Sequence, residues 1–326
     1  MAEPVKIRVV VVVAFEPDGG PVPGELSHWI ARNGLTMEMP FAAGYRPLRT
    51  DGKGLLAVVT GVGAARAAAS VMALGLDARF DLTGAYWVVN GVAGIDPARG
   101  SLGSAVWCGT VVDGGLVHEI DGREIPGDWP DGFVPIGKSV PYEEPREDRF
   151  NGDDGIVFEL DARLAVWAFE LTRGVALVDT SEMAARRVQF RALEAWAPPS
   201  VLMGAEVASS TFWHGRRMSE RARAWVRYQT SGRAEYCVTG MEDAGILQAL
   251  QFLASAGRVD FGRILVLRGA SNYDQQRVGI SAAESLAESK VAKYSGYRPA
   301  LENLWRVGNV VVEKLLGGTP TPPEIP

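Results

Sequence analysis

The apolar positions of this chain fall into short unbroken runs separated by stretches with helical spacing. Residues 9–15 form the longest run, five valines followed by Ala14 and Phe15, bounded by Arg8 and Glu16. A run this short cannot span a bilayer and reads as a parallel strand covered on both faces. It predicts a first strand over 5–14. The segment 23–33 follows as a helix, with Pro23 early and Gly34 just past its end. A second buried strand is predicted over 55–60, a glycine turn at 61–63, and an alanine-rich helix over 64–76. Strands over 86–92 and 104–112 come next and are expected to pair. Helices are expected over 161–171 and 241–252, and strands over 201–207 and 264–270. Residues 281–316 read as largely helical, broken near 296–299. This recurrence predicts a doubly wound or barrel-like α/β sheet.

One stretch departs from the pattern. Between about 114 and 155 the chain is rich in Pro, Gly, Asp and aromatic residues. A loop of that length inside a domain is uncommon and usually functional. The whole chain, 1–326, is read as a single domain carrying this insertion.

Composition narrows the partners. With 47% hydrophobic and 22% charged residues the chain is ordinary globular material, and its formal charge of −6 offers no footprint for nucleic acid or an anionic membrane. A small molecule is the expected partner, with no membrane insertion and no metal. Two cysteines, Cys108 and Cys237, make neither a disulfide framework nor a zinc site. The opening Met1-Ala2-Glu3-Pro4 is compatible with a removed export signal, so an exported, periplasmic protein and a cytoplasmic one both stay open.

In open α/β sheets ligands bind beyond the carboxyl ends of strands. The residues there are Glu16 and Asp18 after the first strand, then Gly61, Val62 and Gly63, then Gly91 to Gly94. Further on come Ser209 to His214, Met241 with Glu242, and Ser271 to Asp274. The glycine turn can bring backbone N–H groups to an anion or a sugar. The G-x-G-x-x-G turn of a dinucleotide-binding enzyme is missing after the first strand.

Several of these segments resemble a known superfamily. TGVGAARAA (60–68), VVNGVAGIDP (88–97) with SLGSAVW (101–107), GMEDAGILQ (240–248) and LRGASN (267–272) are similar, in order, to motifs of the nucleoside phosphorylases and nucleosidases. HEIDGREIPGDWPDG (118–132) and SSTFWHG (209–215) resemble, more narrowly, the purine nucleoside permease family. The resemblance implies a three-layer α/β/α fold of the nucleoside phosphorylase type, with a central mixed and partly barrel-like sheet. It implies a purine nucleoside as ligand and an assembly of identical copies.

It also assigns roles. Glu242 would accept hydrogen bonds from the ribose 2′- and 3′-hydroxyls, although a first-turn Glu is also what a helix dipole favours. Met241 would pack under the sugar, and Phe212 and Trp213 against the base. His214 would reach the base or O5′, and His118, with Asp121, the sugar's 5′ side. Asn272 would donate to purine N7 where many relatives carry Asp, which leaves the proton for the leaving base to another group, such as Asp274. Asp18 would activate water, and Gly61 and Gly91 would line the site.

The reading is therefore an enzyme that cleaves the N-glycosidic bond of a purine nucleoside by hydrolysis, without a cofactor. Phosphorolysis is the alternative, with phosphate as co-substrate and Arg66 as a candidate anion ligand. A non-catalytic, nucleoside-binding component of uptake is the other.

Overall fold

Every residue of the run Val9–Val13 is valine and fully buried. Alternate side chains feed two separate cores: Val10 and Val12 enter one, Val9, Val11 and Val13 the other. A strand alternates its side chains between faces, so the centre of this sheet is covered on both sides.

The computed structural model describes residues 3–144, 156–288 and 296–318. The chain begins with β1 (Val5–Lys6), β2 (Val9–Val13), α1 (Ser27–Arg32), β3 (Met37–Met39), β4 (Leu48–Thr50), β5 (Leu55–Val59) and α2 (Ala64–Gly75). Next come β6 (Phe80–Asp81), β7 (Tyr86–Ile95), β8 (Ala105–Asp113), β9 (Val117–Glu119), β10 (Phe133–Pro135) and β11 (Val157–Glu159). The rest is α3 (Ala162–Thr172), α4 (Ser181–Arg187), β12 (Val201–Ala208), α5 (Arg216–Gln229), β13 (Tyr236–Gly240), α6 (Asp243–Ser255), β14 (Ile264–Tyr273), α7 (Ala282–Glu288) and α8 (Tyr297–Leu316).

Five strands close on themselves. β7 pairs with β14, β14 with β8, β8 with β12, β12 with β13, and β13 returns to β7. The sheet continues outward from β7 through β2, β5, β4 and β3. Leu164 and Ala168 of α3 and Leu304, Val307 and Val311 of α8 pack on one face. Val71 and Leu74 of α2 and Ile246, Leu247 and Leu250 of α6 pack on the other. This is the three-layer architecture with a barrel-like centre. The register of β14 against β7 slips between Ala270 and Asn272. A bulge of that kind redirects the side chains after it, here Ser271 and Asn272.

The structure corrects several expectations. The first strand is two: β1 pairs with β6, and β2 starts only after Ile7 and Arg8. The first helix starts at Ser27, because Glu25 is held back against the end of β2: its N–H reaches Phe15 O at 2.9 Å. β7 and β8 do not pair with each other. β14, apolar on both faces along Ile264–Leu267, lies between them. The stretch from 114 is not structureless, since β9 and β10 form an antiparallel pair; its part over 145–155 lies outside the described residues, as do 289–295 of the C-terminal helical region. The strongly charged α5 and the short β13, which closes the ring, have no counterpart among the expected elements.

The contact between α2 and α6 is a backbone approach: a Cβ on Gly245 would fall 2.2 Å from Ala64 O. Gly245→Ala is expected to cost about 1–3 kcal/mol by overpacking, measured by urea denaturation. Gly174→Ala, in open space, is the control and should stay within about 0.5 kcal/mol. Equal stability of the two variants would overturn this account of the helix contact.

Candidate active site

The carboxyl ends of β2 and β12, the far half of β7, and β13 and β14 meet around a cavity of about 250 Å³. Its walls include Phe15 after β2, Val92 and Gly94 in β7, Phe212 and Trp213 after β12, and Asn272 in β14. Met241 and Glu242 enter from the junction between β13 and α6. Tyr297, the first residue of α8, closes one side, its ring edge-on to Phe15 with centroids 6.2 Å apart.

The polar end of the cavity is organised by one buried cation. Arg268 lies inside the ring of strands with almost no exposure. Its Nε donates to Asp243 Oδ2 at 2.9 Å and to Glu206 Oε2 at 3.2 Å, and Nη2 makes a short bond to Asp243 Oδ1. Nη2 also stands 4.0 Å from Glu242 Oε2. Two glycines make room: a Cβ on Gly91 would fall 2.2 Å from Arg268 Nη1, and one on Gly240 would fall 2.2 Å from Glu206 Oε1.

Glu242 does not cap its own helix. Its Oε1 accepts the N–H of Gly63 at 3.0 Å, and Oε2 that of Met241 at 3.3 Å. The glycine turn thus spends its inner donor on a carboxylate of the protein. The next donor, Ala64 N–H, goes to Ser210 Oγ at 3.0 Å. Gly63 takes a φ of 92°, a conformation open to glycine. Burial raises the pKa of Glu242, and the nearby Arg268 opposes the rise.

A second carboxylate shares the cavity. Glu25 Oε2 accepts N–H groups of Ala14 and Phe15 at 2.8 and 2.9 Å, and Oε1 accepts that of Val92 at 2.8 Å. Burial, and then the charge of Glu242, push its pKa up to about 7 against the pull of those donors. The space a Cβ on Gly91 would take lies 3.1 Å from Glu25 Oε1, so the guanidinium and Glu25 flank the same glycine.

At the other end, Asn272 Oδ1 accepts from Ser271 Oγ at 2.9 Å and Nδ2 donates to Tyr273 O at 3.0 Å. One amide N–H and one lone pair remain for a ligand. Asp274 also lines the cavity, and its Oδ2 accepts from Tyr236 Oη at 2.8 Å. Burial first, and the neighbouring Asp96 second, raise its pKa well above the ordinary carboxyl range.

Of the residues singled out from sequence, the structure brings Glu242, Met241, Phe212, Trp213 and Asn272 together in this cavity, along with Asp274. Phe212 remains 49% exposed, at the mouth. Asp18 is not there: its side chain is 81% exposed and paired with Arg46 at 2.5 Å. The glycine-rich turn after Asp18 carries the chain outward before it returns at Glu25. His118 sits exposed on the β9–β10 pair, opposite Val134, and Asp121 is paired with Arg123. His214 lies behind the cavity, with Nε2 3.0 Å from Ser285 Oγ. Gly61 and Gly91 are not part of the lining; Gly91 acts from behind by admitting Arg268. Glu25 falls inside the helix expected over 23–33, so nothing local marks it as a site residue. Arg268 lies within LRGASN, where the resemblance gives it no role. A lone arginine in the apolar run ILVLRGA is itself a signal, since a charge buried in a strand must find partners.

A family model described as "Purine nucleoside permease (NUP)" matches residues 6–319. A probable purine nucleoside permease of Schizosaccharomyces pombe is 28% identical over 266 residues, 79% of this chain and 75% of that protein. A purine nucleoside permease of Candida albicans is 28% identical over 79% of this chain, which spans only 63% of that protein's length. Among solved structures, a 5′-methylthioadenosine/S-adenosylhomocysteine nucleosidase from Colwellia psychrerythraea in complex with adenine superposes with a TM-score of 0.53. It shares 18% identity over 95% of each chain.

Removing the cation should expose what it holds. Arg268→Met is expected to destabilise the protein by about 3–5 kcal/mol, because Glu206 and Asp243 are left buried and uncompensated. Adding Glu206→Gln and Asp243→Asn should restore most of that loss in denaturant titration. A single variant as stable as the triple one would contradict the assignment.

Proposed function

The chain belongs to the purine nucleoside permease family, and on that premise we propose that its cavity binds a purine nucleoside and cleaves the bond between base and ribose with water. The observation that carries this reading is Glu25: a buried carboxyl, held by backbone donors, pushed up to about 7 and facing the same cavity as Glu242. A general base works best with a pKa near the operating pH. Two carboxylates with different surroundings suit two different tasks. The nucleosidase named among the structures of like fold agrees with this reading.

Glu242 is the acceptor for the ribose hydroxyls. Arg268 at 4.0 Å favours its charged form, and the hydroxyl contact tightens as the sugar becomes oxocarbenium-like. Glu25 takes a proton from water, and the hydroxide adds to C1′. The electron pair of the C1′–N9 bond leaves with the base. Asn272 donates its remaining N–H to N7, which stabilises the departing charge. Asp274, neutral at physiological pH through its burial, is the acid that protonates the base, and the proton taken up by Glu25 restores the balance.

Water is favoured over phosphate by the state of the glycine turn. A phosphorylase needs donors for a dianion, and here Gly63 N–H is bonded to Glu242 and Ala64 N–H to Ser210. Arg66 is exposed and not part of the cavity lining. The relatives' names favour a second reading, delivery of nucleoside to a transport system. Among the described residues no helix is long and apolar enough to cross a membrane. Such a role would use the same cavity but would not need Glu25 ionised.

Glu25→Gln is expected to lose about 100-fold or more of hydrolysis while keeping nucleoside affinity within a few-fold, and Asp18→Ala should remain close to the native rate. The assay follows free base and ribose from inosine or adenosine in phosphate-free buffer. Free base released only when phosphate is added, with ribose 1-phosphate as its co-product, would sink the hydrolytic reading; binding without any cleavage would favour delivery.

The pH profile of kcat/KM follows from the same groups. Activity should rise as pH climbs through about 7 and Glu25 ionises, and fall on the alkaline side as Asp274 loses its proton. Asp274→Asn should remove the alkaline limb and leave the acid limb in place. An unchanged alkaline limb would remove Asp274 from the reaction.

A further inference from the structure

A second cavity, of about 580 Å³, lies directly behind the first. Ser271 and Asn272 line both, so the two chambers adjoin at the residue proposed above to contact the base. The first, at about 250 Å³, is at or below the roughly 300–1,000 Å³ usual for a small-molecule site. It has room for a nucleoside and little more, and the second chamber more than doubles the space.

The geometry of a purine decides what reaches the junction. N7 and the substituent on C6 lie on one edge of the base. A ligand whose N7 takes the Asn272 N–H therefore turns its 6-substituent along Asn272, toward the second chamber. The chamber is walled by the tilted Phe190–Tyr273 pair, with centroids 3.9 Å apart, and by the amides of Gln189 and Gln275. Its lining carries one cation, Arg186, which stands 3.7 Å from Glu288, and a second carboxylate, Glu182. No surplus cation there calls for an acidic group, whereas amides both donate and accept.

We propose that the second cavity is a subsite for a neutral, hydrogen-bonding chain carried on the 6-amino group, so that 6-N-substituted purine nucleosides are substrates of this protein. The proposal rests on the reading of the first cavity as a nucleoside site, and it goes beyond that reading in naming the substrate class.

The test compares adenosine with N6-(2-hydroxyethyl)adenosine in the native protein and in Ala185→Trp. Ala185 is exposed on α4 and lines only the second chamber, so the indole fills the subsite without touching the first cavity. The native protein is expected to process both nucleosides with kcat/KM within about 10-fold of each other. Ala185→Trp should leave adenosine nearly unchanged and lower the substituted nucleoside by about 10-fold or more, as loss of a fitting pocket does. A native protein that takes adenosine and rejects the substituted nucleoside would overturn the proposal, as would a variant that slows both equally or neither. Calorimetry with adenine and N6-(2-hydroxyethyl)adenine separates the two levels. If adenine itself does not bind, the nucleoside site is wrong; if adenine binds and its derivative does not, the subsite alone is wrong.

Discussion

A guanidinium with no access to water must be surrounded by carboxylates, and that requirement shapes the centre of this protein. Arg268 sits inside the five-stranded ring with Asp243 and Glu206 bonded to it and Glu242 at 4.0 Å. An unpaired charge there would cost several kcal/mol, so strand, helix start and glycines are committed to its geometry. Asp243 and Glu242 are consecutive residues at the start of α6, one spent on the cation and the other left facing the cavity. The ion pairs at the centre of the barrel thereby position the carboxylate offered to the ligand.

The same economy appears at the glycine turn. A helix N-terminus with free N–H groups is a ready anion site, and α2 has that form. Its acceptors are internal: the Glu242 carboxylate takes the Gly63 donor and the Ser210 hydroxyl the Ala64 donor. One carboxylate therefore ties β13 and α6 to α2 while facing the cavity. An entering dianion would have to displace it.

How much of this was legible in the sequence depended on how local the cause was. The Val9–Val13 run was readable because complete burial of a strand leaves an unbroken apolar stretch. Met241 and Glu242 were readable through the likeness of GMEDAGILQ to a known motif, and Asn272 because it follows closely on the apolar run of β14. Asp18 against Glu25 was not, because both acids follow the same strand and only the folded-back path of 16–26 decides which one returns. The separation of β7 from β8 is hidden for a different reason. Consecutive strands usually neighbour each other, and nothing local says that β14 will come between them. α5, with its many arginines, reads as surface, yet Trp225 and Val226 bury against β12 and β13 to close a third cluster.

The position of β14 in the chain also sets an order of events during folding. β7 gains a partner at β14 only after nearly 170 further residues have been added, and β8 keeps an open edge on that side until then. Contacts this distant in sequence slow folding and leave strand edges available to wrong partners. The strand that seals those edges is the one that carries Arg268 and Asn272. A partly made chain thus holds Glu25 and Glu242 with neither the counter-charge nor the amide, and the site becomes competent in the same step that removes the aggregation-prone edge.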